Sequence, residues 1–353
     1  MKKPTLIVKF WGVRGSLPSP LTTEQIRAKE EALIRRIISD GGTNRLFDNP
    51  QKIKKYLQAL PLSLSGTYGG DTTCLEIQAR NSPLVLIDAG SGARLLGQTL
   101  VKRMKKHSSL NPLNSKKAHQ KEIHLFFTHY HWDHLQGFPF FAPGFLSGNK
   151  RLLIHFYGKR DIQKRLSEVL AGQQQYPNFP ISFHDMPCLK KYTELKKLDH
   201  SPIKIGHLSV YPQELTHPGS VFAYAFEIKG KKFVCATDTE HKNVPDPRLI
   251  RIAQGADVLY YDAQYTPEEY QGTLDNSKFD WGHSTYKWAI KTALAARVSI
   301  LVLAHHDPSR DDFSLEKIKE KALQFLAEQL KLPQNKGKKL KVLLAYQGLT
   351  LSL

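Results

Sequence analysis

Ile123-His124-Leu125-Phe126-Phe127-Thr128 runs directly into His129-Tyr130-His131-Trp132-Asp133-His134. The first half is almost continuously apolar, as a strand covered on both faces must be. The second half emerges at that strand's C-terminal end, where α/β sheets place their active sites. Imidazole nitrogen and carboxylate oxygen suit Zn, Mn or Fe, and two histidines one residue apart can converge on a single ion. Asp133 and His134 are then left to serve a second ion. Four side chains cannot hold two ions, so the stretch requires partners from elsewhere. Three strand ends offer them: His217 in Glu214-Leu215-Thr216-His217-Pro218-Gly219, Asp238 after the apolar run from Phe233, and His305 after the run from Ile300. Each lies just past a strand, so all three can meet at one edge of a sheet.

Working outward, short β-rich runs recur at Leu6–Phe10, Cys74–Gln78, Leu84–Asp88, Leu152–Tyr157, Leu208–Tyr211, Phe222–Ile228, Phe233–Thr237, Val258–Asp262, Ile300–Ala304 and Lys341–Ala345. Helices are expected between them. Thr22-Thr23-Glu24-Gln25 reads as a capping box opening a helix that stops at Gly41-Gly42. Others are expected around Lys159–Ala171, Tyr286–Ala296 and Leu315–Leu330. Strands mixed with covering helices indicate a layered α/β domain. No internal repeat or low-complexity linker divides the chain. We therefore read residues 1–353 as a single domain, with insertions at 21–65 and 145–201.

Composition narrows the function classes. No run approaches the roughly 18 apolar residues of a membrane span, and no cleavage site follows the N-terminal strand, so a cytoplasmic protein without a membrane partner is expected. Cys74, Cys188 and Cys235 fit no thiolate spacing, so any metal must be held by nitrogen and oxygen. The 51 Lys+Arg against 32 Asp+Glu give +19, which favours anionic partners. The basic residues cluster at Lys102 to Lys106, Lys116 to Lys121, Lys190 to Lys197 and Lys331 to Lys341. No aromatic-interleaved RNA-binding signature accompanies them, so a nucleic-acid partner is compatible with the sequence without being specified by it.

The order HxHxDH, then His, then Asp, then His resembles the metallo-β-lactamase superfamily, and the likeness spans nearly the whole chain. Within it the sequence is most similar to the ribonuclease Z and phosphodiesterase branch. Four segments carry this: Phe10-Trp11-Gly12-Val13-Arg14-Gly15-Ser16, Tyr68-Gly69-Gly70-Asp71-Thr72-Thr73-Cys74, Ile87-Asp88-Ala89-Gly90-Ser91-Gly92 and Gly282-His283-Ser284-Thr285. The resemblance implies a four-layer αββα sandwich, two mixed sheets with helices outside and two metal ions between them. It implies that His129, His131 and His217 hold one ion, that Asp133, His134 and His305 hold the other, and that Asp238 bridges. The ions would be zinc, with Mn or Fe also suited.

By the same resemblance the protein is a dinuclear metal-dependent phosphodiesterase. A hydroxide shared by the ions would attack phosphorus in a cyclic nucleotide or other nucleotide-type diester. Asp133 would orient that nucleophile and His283 would act as general acid. Ser284 or Thr285 also reads as a helix N-cap, a role compatible with the other. Gly90, Ser91 and Gly92 either face the phosphate through backbone amides or form a plain turn, and Asp88 sits behind a ligand histidine. The chain lacks a counterpart of the Gly/Pro-rich arm with which ribonuclease Z grips tRNA. Tyr265–Tyr270 and His305-His306-Asp307-Pro308 instead resemble bacterial members described only as metal-dependent hydrolases. Alternatives are a tRNA 3′-processing endonuclease, a thioesterase or lactonase of the same fold, and a non-catalytic binding protein. Members of the branch are often dimers, so a homodimer is compatible with the likeness.

Overall fold

The computed structural model describes residues 4–42, 48–105, 122–148, 151–160, 163–195, 201–241, 244–273 and 276–353. Among them the strands are β1 (Leu6–Gly12), β2 (Cys74–Ala79), β3 (Leu84–Ile87), β4 (Glu122–Phe126), β5 (Leu153–Lys159), β6 (Leu189–Leu195), β7 (Ile203–Ile205), β8 (Leu208–Leu215), β9 (Val221–Ile228), β10 (Lys231–Ala236), β11 (Val258–Asp262), β12 (Ile300–Ala304), β13 (Lys341–Leu344) and β14 (Thr350–Ser352). They form two sheets, ordered β14-β1-β2-β3-β4-β5-β6 and β13-β12-β11-β10-β9-β8-β7. The helices are α1 (Thr23–Ser39), α2 (Pro50–Ala59), α3 (Leu62–Ser65), α4 (Gly92–Lys105), α5 (Trp132–Leu135), α6 (Leu166–Gly172), α7 (Pro247–Ala253), α8 (Pro267–Gln271), α9 (Tyr286–Ala295) and α10 (Asp312–Lys331).

Period-two alternation assigns each strand's side chains to opposite layers. In β4, Ile123 and Leu125 pack outward with Leu96, Leu100 and Leu166 from α4 and α6. Phe126 instead turns inward and meets Tyr224 edge-on at 5.2 Å between the sheets. On the far side Leu259, Leu301 and Leu303 pack against Ile290, Leu315 and Ala322 of α9 and α10. Three apolar layers separated by two sheets make the αββα sandwich, with both sheets mixed in direction as expected.

Thr22 caps α1 as the sequence indicates, its Oγ1 accepting from Gln25 N at 3.3 Å. That helix nevertheless buries only Lys29, and Ile26, Ile34 and Ile38 stay exposed. The helix expected from Lys159 begins at Leu166 instead. Gly158 and Lys159 remain paired with Glu194 and Leu195 of β6, and the ladder holds them extended. Residues 145–201 thus supply β5 and β6 to the first sheet, while 21–65 supply α1 to α3. The basic run Lys116–Lys121 lies outside the described residues, as do Lys106, Lys196 and Lys197. Among the described residues no helix is long and apolar enough to cross a membrane.

Direction is what positions the site. β3 and β4 are parallel, as are β10, β11 and β12. β8 runs antiparallel to β9, and β9 to β10, so β8 ends at the same edge as β10. Six strand ends therefore deliver Asp88, His129, His217, Asp238, Asp262 and His305 to one edge of the sandwich.

Candidate metal centre

Three overlapping groups of ligand atoms form there, each within 4.8 Å of one another: His129, His131 and His217; Asp133, His134, Asp238 and His305; and Asp238, Asp262, His283 and His305. In the first, the His129 ring lies 4.4 Å from that of His131 and 4.7 Å from that of His217. In the second, His305 Nε2 is 3.2 Å from Asp133 Oδ2 and 3.1 Å from Asp238 Oδ1. His134 Nε2 is 3.1 Å from Asp133 Oδ2 and 3.3 Å from Asp238 Oδ2. Asp238 faces the first group as well, since its Oδ1 also lies 3.9 Å from His129 Nε2. All seven residues named from the sequence are brought together, and all but His131 are buried.

Each inward-facing nitrogen is set by what holds the other ring nitrogen. His134 Nδ1 lies 2.8 Å from Asp88 Oδ2, His217 Nδ1 2.8 Å from the Gly282 carbonyl, and His305 Nδ1 2.9 Å from Gln264 Oε1. Asp88 also accepts Thr128 N and Oγ1, both at 2.8 Å, so it stands behind a site histidine as the sequence indicates. Asp88, Asp238 and His305 adopt φ of +56°, +53° and +57°. Left-handed backbone at non-glycine residues costs about 1–3 kcal/mol each and clusters at functional sites. The motif around Gly15 closes the floor: a Cβ there would sit 2.4 Å from the His305 ring, and Ser16 N donates to Asp133 Oδ2 at 2.9 Å.

The electrostatics are those of a cation site. Burial pushes His129 well below its ordinary value and His217 down to about 4, which keeps both as neutral lone-pair donors. Burial acts the same way on His305, but Asp238 and Asp133 overcome it and raise the group to about 9. His134 is likewise raised against burial, chiefly by Asp133 and Asp238. Both carboxylates are held well below the ordinary range despite burial, through His134 and His305. The buried anions thus demand positive charge, which a divalent ion can supply while releasing those protons. His129 Nε2 is buried without a hydrogen-bond partner, where a metal ligand's lone pair would be expected. The residues present therefore fit the metal.

His283 stands beside this centre. Its Nδ1 lies 2.8 Å from Asp262 Oδ2 and 3.8 Å from Asp238 Oδ1. With Ser16, Tyr130, His131, Trp132, Asp133, Asp238 and His305 it lines a cavity of about 470 Å³, within the range of small-molecule sites. Thr285 caps α9, so the capping and site readings of this segment hold together. The amides of Gly90, Ser91 and Gly92 are committed to Thr73 O, Thr72 Oγ1 and Thr72 O, which makes that segment a turn. His306 is buried, bonded to the Ala345 carbonyl and pushed down to about 3 by burial. A larger groove of about 780 Å³ between α2 and α10 is lined by no His, Cys, Asp or Glu.

Three contributors escaped the sequence reading. Asp262 orients His283, Gln264 orients His305, and Glu240 accepts from Asp280 N at 2.8 Å and Gly282 N at 2.9 Å, fixing the carbonyl that faces His217. Asp262 carries the signal that located Asp238, a carboxylate closing an apolar strand run. A further group, Glu122, His124 and His155, lies away from this edge, and both nitrogens of His155 are satisfied by Tyr157 and Thr193.

The family described as the beta-lactamase superfamily domain matches residues 84–306, more than half of the chain. The chain belongs to this superfamily. It is a metal-dependent hydrolase, and its curated relatives include ribonuclease Z proteins. The superfamily chain is 23% identical to ribonuclease Z of Thermoplasma acidophilum over 227 residues, 54% of this chain and 71% of the relative. Its fold is similar to that of human tRNase Z, short form, with TM-score 0.53 and 17% identity over 98% of each chain. A diphosphatase gives TM-score 0.56 and 16% identity, covering 99% of this superfamily chain and 98% of its own.

Proposed function

We propose that the protein is a two-metal phosphodiesterase acting on nucleotide-type phosphate diesters. The observation that carries the reading is His283, held by Asp262 in the wall of a cavity that His131, Asp133, Asp238 and His305 also line. A departing alkoxide, in a phosphodiester as in a lactone, needs a proton that His283 can deliver, whereas a thioester's thiolate leaves without one. His129, His131 and His217 would hold one divalent ion and Asp133, His134 and His305 the other, with Asp238 shared and zinc suited to the set. Such ions supply positive charge that acidifies water and neutralises the charge growing on the non-bridging phosphoryl oxygens.

The remaining work falls to the chain. Ser16 N donates to Asp133 Oδ2 on the side facing His134 and His305, which leaves Oδ1 to orient the attacking water by a hydrogen bond. Asp262 takes His283 Nδ1 and leaves Nε2 to pass its proton to the departing ester oxygen.

A second reading, tRNA 3′-end processing, draws support from the ribonuclease Z names of the relatives. A panel of bis-aryl phosphate, cyclic nucleotide, dinucleotide, precursor tRNA, thioester and lactone separates the classes. Turnover of the diesters alone is expected. Turnover confined to thioester or lactone would contradict the reading, and turnover confined to precursor tRNA would select the second.

A further inference from the structure

Large aromatic side chains left in water call for a partner, because each exposes apolar area that folding would otherwise bury. Among the described residues five are exposed: Trp132, Phe140, Tyr176, Phe279 and Trp281. Two of them adjoin the catalytic edge. Trp132 is 80% exposed, lines the cavity and stands between His131 and Asp133. Trp281 is 54% exposed and stands next to Gly282, two residues before His283. Trp11, by contrast, is buried in the core.

Each tryptophan is the chain neighbour of a residue that contacts His217. His217 presents Nε2 to His131 Nδ1 at 3.1 Å and Nδ1 to the Gly282 carbonyl at 2.8 Å. The residues adjoining those two partners are Trp132 on one side and Trp281 on the other. Trp281 is also held in place. Glu240 pins the amides of Asp280 and Gly282 on either side of it, Gly282 has φ +86°, and Phe279 packs against Tyr270 at 5.9 Å. A rigid ring loses little freedom on binding, so this is a preformed surface. Lys278 Nζ lies 4.5 Å from the Trp281 ring centroid and adds positive charge beside it.

We propose that Trp132 and Trp281 are stacking platforms for the two bases that flank the scissile phosphate of a linear nucleotide chain. The inference rests on the phosphodiesterase reading and narrows its substrate. A cyclic mononucleotide brings one base to a phosphate, whereas an internucleotide linkage brings one on each side. Stacking of bases on aromatic rings next to cationic side chains is the general mode for single-stranded nucleic acid, and it tolerates sequence.

The test uses the full-length, metal-loaded protein and two diesters, a dinucleotide and its abasic analogue with the same sugar-phosphate. Wild type is expected to prefer the dinucleotide. Trp132→Ala and Trp281→Ala should each lower that preference by about 5- to 100-fold, through KM, while Trp281→Phe retains most of it. Binding reads the same surface without turnover: oligothymidylate should quench tryptophan fluorescence, and less so in either alanine variant. Equal cleavage of both diesters by wild type, with no quenching, would overturn the platforms and leave the phosphodiesterase reading standing. Cleavage of neither diester would overturn both. A change in oligomeric state with unaltered base preference would assign the tryptophans to contacts between copies and overturn the proposal.

Discussion

Replacing Asp88 by asparagine keeps the shape of a fully buried side chain and its tolerance of φ +56°, but removes its charge. The carboxylate accepts Thr128 N, Thr128 Oγ1 and His134 Nδ1, all at 2.8 Å. An amide can keep the first bond through its oxygen, and its NH2 can donate to the Thr128 hydroxyl. Facing His134 Nδ1 that NH2 must also donate, so the ring gives up its Nδ1 proton and carries it on Nε2. Nε2 is the nitrogen aimed at Asp133 and Asp238, and once protonated it cannot ligate an ion. Loss of a group that orients a metal ligand typically costs 10- to 100-fold in affinity. That corresponds to about 1.4–2.8 kcal/mol, in line with one charge-assisted hydrogen bond. The assay is competition of Asp88→Asn against a zinc-chelating dye, with wild type alongside and folding checked by thermal melt. Two ions bound at wild-type affinity by a folded Asp88→Asn protein would refute the reasoning.

Other expectations follow from particular contacts. His283→Ala should lower kcat by about 10²- to 10⁴-fold on diesters with poor leaving groups and far less on nitrophenyl esters, which leave without a proton; an equal loss on both would contradict a general acid. Asp262→Asn should lower kcat in the same leaving-group-dependent way, with KM little changed. Glu240→Ala removes the carboxylate that accepts from the amides of Asp280 and Gly282, while the Tyr270 hydroxyl keeps the His241 carbonyl, so it should cost about 2–4 kcal/mol by denaturant titration. Burial holds His124, His155 and His241 at about 3, about 4 and about 4, below their ordinary 6.5. The unfolded chain therefore binds more protons below pH 6.5. The stability from these groups is fully present above that pH and falls toward pH 4, by up to about 1.4 kcal/mol per pH unit for each. A flat urea midpoint between pH 7 and pH 5 would contradict this.

The candidate ligands at strand ends were legible because most follow an apolar run that reads as a buried strand. His129, Asp238 and His305 all stand where such a run stops, and direction alone then gathers them. Asp262 closes the run Val258–Tyr261 in the same way, and reading it as the last strand residue hid its role. Glu240 and Gln264 were illegible for a different reason. Their partners lie 40 and 41 residues away in sequence, and no local pattern encodes a contact made through tertiary packing. The strands that went unread, β6, β7 and β14, are three of the four sheet edges. β6 carries two adjacent lysines and buries only its last residue, and β7 and β14 have three residues each, so period-two apolar patterning is weak there. The late start of α6 has a similar origin, since pairing with β6 extends β5 beyond its apolar residues.

The central claim is that these seven side chains hold two ions and that both are needed to cleave a phosphate diester. Its most direct test is a zinc titration of chelator-stripped protein, with bound metal and dinucleotide hydrolysis measured in the same samples. The account expects no hydrolysis in stripped protein and activity that rises to a plateau at two ions per chain. Full activity in stripped protein, or a plateau of bound metal without any diester cleavage, would contradict it.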